Sequence, residues 1–522
     1  IESIGKIQRL ALRAYPKWAL NNSDLWKAIQ KNSETGNLSL LPEQTMFLKE
    51  FSFPKYINGQ AGSGKSTMLY YLFANTYYFK CFDEIKGDLI FLTENENLLK
   101  FTKKSVIELL QCNPEFELTY EDISNVDKHF VSFKEFLLSY IPDDRDIFRA
   151  DKYLDFSKFK ILYEGSAVPN HVKNRYSAEL IWFTLSTYIY GHDLDFQISS
   201  DNYEEKMPSE GKKLITIEDL RTIEKEILPF YKRQIDENGY WDKVKIISYI
   251  KENNLIDKHY EVIFCDEAQD FSRVELRFIL SLSTYLKYDL SSTKQVPIVF
   301  AGDALQTVNP TGFRAAEVKD MLYEELKQIA GFKLDTDKIE YAPEFNYRSS
   351  QPIVNVANAI QYWRKKKFDA IIKKPQIAKR PEFAQDAHLN IFINFQSVEN
   401  NLDDVINKLK YKIFIIPVNF DEKESYIESN AILKLFPEAN IKTAVEAKGI
   451  DYEQVVVFGF GEYSIKIQTL EEYEKRFFYN KLYVAVTRAQ LELIILDSVD
   501  SVDGFWQPMI DFYATSTWSQ ES

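Results

Sequence analysis

Tyr56-Ile57-Asn58-Gly59-Gln60-Ala61-Gly62-Ser63-Gly64-Lys65-Ser66-Thr67 constrains this chain more than any other stretch. It predicts a short strand, a glycine-rich turn and a helix running on from Met68. The spacing G-x-x-x-x-G-K-S is that of a phosphate-cradling loop. Its glycines let successive backbone N–H groups face one concavity, and the N-terminus of the next helix adds partial positive charge. Gly59, Gln60, Ala61, Gly62, Ser63, Gly64 and Thr67 form the cradle, Lys65 reaches the β/γ-phosphates, and the Ser66 hydroxyl ligates Mg²⁺. A flexible Gly/Ser turn is the ordinary alternative. Glycine is scarce, however, at 17 of 522 residues, so a chance match is the weaker reading.

A second chemical signature lies far downstream. Tyr260-Glu261-Val262-Ile263-Phe264-Cys265 predicts a buried strand that ends in Asp266-Glu267-Ala268-Gln269-Asp270. Two acids at the carboxyl end of such a strand suit a metal–nucleotide site: Asp266 holds Mg²⁺ and Glu267 takes a proton from the attacking water. Acids can also simply favour a helix start. The phosphate loop upstream favours the catalytic reading. Val296 to Asp303 predicts the next strand, and Gln306 beyond it is placed to sense the γ-phosphate. Phe313 and Arg314 follow where a base could stack, although a lone Phe is more often core.

The remaining pattern sets the organisation. A chain of this length is expected to form about three or four domains. Residues 1–40 look helical, and Pro42 suits the first turn of another helix. Gln44 in that helix can pair with an adenine edge, or be a solvated helix residue. Asp88 to Thr93 predicts a buried strand followed by a polar turn and a helix from Leu98, the unit a parallel α/β sheet requires. The stretch from about 138 to 255 has helical periodicity and polar loops and reads as an inserted domain. After about 330 the pattern restarts, with strands at Leu389–Ile393, Ile413–Ile416, Val455–Phe458 and Leu493–Leu496 and a helix from Gln351 to Trp363. This is a second α/β domain without a phosphate loop of its own.

Composition bounds the class. Hydrophobic residues make up 45% and aromatics 15%, which excludes a disordered low-complexity chain. No apolar run is long enough to span a membrane, and no signal-peptide pattern is read at the start. Cys81, Cys112 and Cys265 are far apart and form no metal-ligand spacing, so a cytoplasmic, reducing setting fits. Ile1 in place of Met suggests a piece of a longer polypeptide. The net charge of −14 argues against a basic coat for bulk nucleic-acid binding, but leaves room for a narrow groove with local Lys/Arg and aromatics.

The ordered set GQAGSGKST, DEAQD, GDALQT…GFR, FNYRSS, EAKGID and YVAVTRA resembles the superfamily 1 helicases of the UvrD/Rep type, and it spans nearly the whole chain, residues 44 to 490. The resemblance implies an α/β fold of two RecA-like domains with parallel sheets and a mainly helical insertion in the first. The boundaries would be 1–110 and 256–330 for the first domain, 111–255 for the insertion and 331–522 for the second. It implies that Gln44 reads adenine and Tyr347 stacks on it, and that Arg348 and Arg488 reach the γ-phosphate. Asp451, where Glu is usual, would bond the ribose, with Gly449 close to the phosphates. Thr93, Ser132, Phe133, Phe313, Arg314 and Lys448 fall where the family tracks a single strand.

The departures are Glu94 and Glu96 in a turn usually basic or neutral, Val445 and Glu446 in the fifth motif, and Lys134 in place of His. About 95 residues separate Arg348 from Thr443, so the family's large second insertion is absent or vestigial. In that respect the chain is closer to the helicase-like modules of large repeat-containing proteins. The expected activity is ATP hydrolysis, with ATP and Mg²⁺ as cofactors, driving 3′→5′ movement on single-stranded DNA, with RNA left open. The rival is a nucleotide-gated switch or interaction module acting with a protein partner or further domains of a longer polypeptide. A nuclease lacks support, since no carboxylate–Lys constellation stands outside these motifs.

Overall fold

The computed structural model describes residues 42–49, 53–81, 87–111, 120–141, 146–208, 211–284, 297–307, 340–368, 374–379, 388–395, 402–467 and 472–508. The expected helices of residues 1–40, together with Phe313 and Arg314, lie outside them. The chain divides into two compact units, with the change in sequence between Pro343 and Glu344; two short threads, Gln60–Ser63 and Leu305–Pro310, belong to the second unit.

In the first unit, α1 (Pro42–Lys49) precedes β1 (Lys55–Asn58), the loop, α2 (Lys65–Cys81), β2 (Leu89–Thr93) and α3 (Glu96–Gln111). Next come β3 (Phe130–Ser132), α4 (Phe133–Ser139), a helical stretch, α5 (Lys243–Glu252), β4 (Val262–Cys265), α6 (Arg273–Ser281), β5 (Ile298–Gly302) and β6 (Glu340–Tyr341). The strands form a parallel sheet in the order β3-β2-β4-β5-β1-β6. Successive side chains of a strand point to opposite faces. Accordingly Ile90, Leu92, Ile263, Cys265, Ile298 and Phe300 enter one core, while Leu89, Phe91, Val262, Phe264, Val299 and Ala301 enter another. Burial on both faces explains why these strands read as unbroken apolar runs rather than as alternating ones.

Both ends of the stretch 111–255 belong to the sheet layer: β3 pairs with β2, and Ile246, Ile247 and Ile250 of α5 pack in the sheet's core. At the other end, β6 pairs with β1 beyond residue 330. The helical stretch between holds helices at Phe156–Glu164, Asn170–Arg175, Ala178–Phe183 and Leu228–Asp236. It is tied back by Trp241, whose indole N–H donates to Arg149 O at 2.7 Å.

In the second unit, β7 (Phe345–Asn346) pairs with β8 (Ile377–Ala378) across α7 (Gln351–Phe368). The main sheet comprises β9 (His388–Asn394), β10 (Ile413–Ile416), β11 (Ile441–Thr443), β12 (Tyr452–Phe458) and β13 (Ala489–Asp497). It too is parallel, ordered β11-β10-β12-β13-β9. Two further helices, α8 (Ala444–Ala447) and α9 (Glu472–Thr487), lie between these strands in sequence. Ile415, Val455, Val457, Leu493 and Ile495 pack on one face with α7 and α9, and Phe414, Ile416, Val456, Phe458, Ile494 and Leu496 on the other. The chain is thus mixed α/β, with two parallel sheets. Among the described residues no helix is long and apolar enough to cross a membrane.

Candidate active site

The loop after β1 takes its shape from two glycines in the left-handed region, Gly62 (φ 73°) and Gly64 (φ 79°), where a Cβ would be strained. Ser63 N–H closes a turn on Gln60 O at 3.2 Å, and Met68 N–H reaches Gly64 O at 2.9 Å to begin α2. Lys65 is buried at the head of that helix, Ser66 is half-buried, and the Ser63 hydroxyl is buried without a hydrogen-bond partner.

At the end of β4, Asp266 is fully buried. Its Oδ1 accepts the Glu267 N–H at 2.9 Å, while Oδ2 is buried with no hydrogen-bond partner. Burial pushes its pKa up to about 7, helped by the adjacent Glu267 charge and opposed by the Ser66 hydroxyl and the Lys65 ammonium. Those residues fit a divalent cation: the carboxylate oxygen is unsatisfied, and the Ser66 hydroxyl faces it. Among the described residues no cluster of three His, Cys, Asp or Glu gathers at one point. Mg²⁺ retains waters and binds through few protein oxygens plus phosphate, so one carboxylate and one hydroxyl are a sufficient protein contribution.

Glu267 is nearly buried and sits at φ 54°, ψ 43°, a conformation rare outside glycine. Its carboxylate accepts a hydrogen bond from the Gln269 side chain. Gln269 is fully buried, and its own Oε1 accepts from Asp303 N–H at 2.9 Å. Gln269 lies inside DEAQD, where no task was expected of it.

The second unit gathers several further candidates. Asp451 bridges both arginines: Arg348 Nε lies 2.6 Å from its Oδ2, and Arg488 Nη1 lies 3.4 Å from its Oδ1. Arg348 also donates to Thr487 O at 3.2 Å. Arg488 is 1% exposed and donates from Nη2 to Gln306 Oε1 at 2.8 Å. Arg348, Arg488, Asp451 and Gln306 are therefore one hydrogen-bonded set. Asp451, expected to bond a ribose, pairs here with both guanidinium groups. Asn346, which precedes Tyr347 in FNYRSS, joins the loop to this set. Its Nδ2 donates to Ala61 O at 3.0 Å, and its Oδ1 accepts from the N–H groups of Arg348 and Ser349, each at 2.9 Å. Tyr347, half-buried, donates its N–H to Gly62 O at 2.7 Å. Gly449 has a positive φ of 80°. Gln44, in the first unit, is buried, against the solvated alternative.

Four of the strand-contact candidates lie among the described residues. Thr93, Ser132, Phe133 and Lys448 are all buried. Ser132 caps α4 through its hydroxyl, and Thr93 Oγ1 accepts from Asn95 N–H at 3.4 Å. The Phe133 ring is 0% exposed and edge-on to Phe271 at 5.1 Å, so it is a core residue with no face left for a base. Glu94 also turns inward. Lys243 at the start of α5 lies 2.5 Å from Glu94 and 2.9 Å from Glu275, with its ammonium 6.0 Å from the Phe133 ring centre. Glu94 is thus paired internally with a lysine for which the sequence carried no signal, while Glu96 stays exposed.

No protein-family model matches the chain, and no curated protein matches it. Among solved structures it is similar to an Arterivirus nonstructural protein 10, described as a helicase, at 16% identity and a TM-score of 0.25. The match covers 47% of this chain and 41% of that one, less than half of each. At that level it carries no argument about activity.

Proposed function

We propose that the chain is an ATP-dependent nucleic-acid translocase or helicase of the UvrD/Rep type, hydrolysing ATP to move on single-stranded DNA in the 3′→5′ direction. One observation carries the reading: the buried Asp266 carboxylate, with its Oδ2 unpartnered and its Oδ1 on the Glu267 N–H, stands beside Ser66 and Lys65 of a glycine-rich loop. Asp266 and Ser66 would hold Mg²⁺, which would supply neutralising charge for the terminal phosphates, and Lys65 would bind those phosphates. Glu267 would accept the proton of the attacking water, and Arg348, Arg488 and Gln306 would respond to the γ-phosphate. Tyr347 and Gln44 would contact the base, and Gly449 would lie near the phosphates.

Burial of Thr93, Ser132, Phe133 and Lys448 favours a second reading, in which nucleotide state gates a protein partner without movement along a strand. ATPase rate against single-stranded, double-stranded and tailed DNA and RNA separates the two. Stimulation by single strands supports the motor. Hydrolysis indifferent to every nucleic acid at low salt supports the switch, and no hydrolysis under any condition refutes both.

A further inference from the structure

We propose that Gln269 is a positioning residue for Glu267: one end of its amide holds the carboxylate, and the other locks onto the turn that follows β5. The inference rests on reading Glu267 as the base of the hydrolytic site.

The local chemistry demands an amide at this point. Glu267 stands in the left-handed region at φ 54°, ψ 43°, which a non-glycine residue keeps only where its surroundings hold it. Three contacts do so. Glu267 N–H donates to Asp266 Oδ1 at 2.9 Å, Glu267 O accepts from Asp270 N–H at 2.8 Å, and the carboxylate accepts from Gln269 Nε2. The first two fix the backbone, and the third bears on the side chain that does the chemistry. Gln269 is fully buried, so both ends of its amide need partners within the protein. One neighbour is a carboxylate and requires a donor. The other is the Asp303 N–H, 2.9 Å away, and requires an acceptor. Only an amide offers both on one planar group of this length.

The far end is fitted as tightly. A Cβ on Gly302, the last residue of β5, would lie 2.7 Å from Gln269 Oε1, so the strand ends on a glycine where the amide passes. Gly302 is required for clearance, since its backbone lies outside the positive-φ region. The strut therefore registers the tip of β4 against the tip of β5. A general base must stay within hydrogen-bond reach of its water, and a misplacement of about 1 Å can cost roughly 100-fold in rate.

The test compares wild type with Gln269→Met, which keeps the length and bulk of the side chain but removes the donor to Glu267 and adds no charge beside it. Gly302→Ala, which displaces the amide without altering it, is the second variant. The expected result is a fall in kcat of about 10–100-fold in both, with KM and ATP affinity held. A purely structural role would instead lower the melting temperature and ATP affinity and leave kcat of the folded fraction intact. Crystal structures of wild type and Gln269→Met provide a readout independent of turnover. Displacement of the Glu267 carboxylate in the variant supports the proposal, and an unmoved Glu267 overturns it. If folded wild type hydrolyses no nucleoside triphosphate, the functional reading falls, while the crystallographic comparison still decides whether Gln269 holds Glu267.

Discussion

At the scale of single residues, the chemistry concentrates on a few side chains with distinct tasks. Lys65 is a point charge at a helix head beside Asp266, and Glu267 is a carboxylate held in a rare backbone conformation. Lys65→Ala and Glu267→Gln are both expected to abolish ATP turnover, with the glutamine variant still binding ATP. Appreciable hydrolysis by purified Glu267→Gln protein would refute its role as the base. Arg488 is tested differently, because it is engaged by Asp451, Gln306 and Val484 O at once. A planar guanidinium can serve those acceptors together, and an ammonium cannot. Arg488→Ala should lower kcat by roughly 10³-fold or more, and Arg488→Lys should rescue little of it. Steady-state kinetics on the two variants checks this, and full activity in Arg488→Lys would show that charge alone suffices.

At the scale of elements, the turn after β2 shows how a helix distant in sequence changes the meaning of a local acid. Glu94 is held up at about 7 first by burial, then by the charges of Glu275 and Asp270, against the Lys243 ammonium. Lys243 is shifted well upward and stays protonated, with the Tyr153 ring beside it. A carboxyl with a folded-state value above its ordinary 4.5 contributes stability while protonated, and loses that contribution as pH rises from about 4.5 to about 7. Wild type should therefore lose stability relative to Glu94→Gln across that window, by on the order of 1–3 kcal/mol, and run parallel to it above. Paired denaturation curves at several pH values measure this, and a difference independent of pH would contradict it. Lys243→Met, which strands Glu94 and Glu275 without their cation, should cost about 3–5 kcal/mol near neutrality. The same melts report it.

At the scale of the whole molecule, the net charge of −14 and the buried strand-contact candidates bear on how a nucleic acid would bind. Any binding should come from a local basic track. Single-stranded DNA is expected to stimulate hydrolysis, with apparent affinity falling steeply and log-linearly with salt. ATPase titrations between low and physiological salt provide the measurement. Stimulation that is insensitive to salt would exclude phosphate contacts as its basis.

The sequence by itself determined what short-range spacing encodes: the glycine-rich turn, the apolar strands β2, β4, β5, β10, β12 and β13, and the acids that end β4. Glycine tolerance of positive φ and the uninterrupted hydrophobicity of strands covered on both faces are local properties, legible one window at a time. Only the tertiary structure decided which charges meet. Lys243 neutralises Glu94 across 149 residues, Asp303 meets Gln269 across 34, and Arg488 meets Gln306 across 182. It also decided that Phe133 is core rather than surface, and that β3 and β6 complete the first sheet. Burial and pairing belong to the packed chain: they depend on which distant segments exclude water from a group, and no local pattern of residues carries that information.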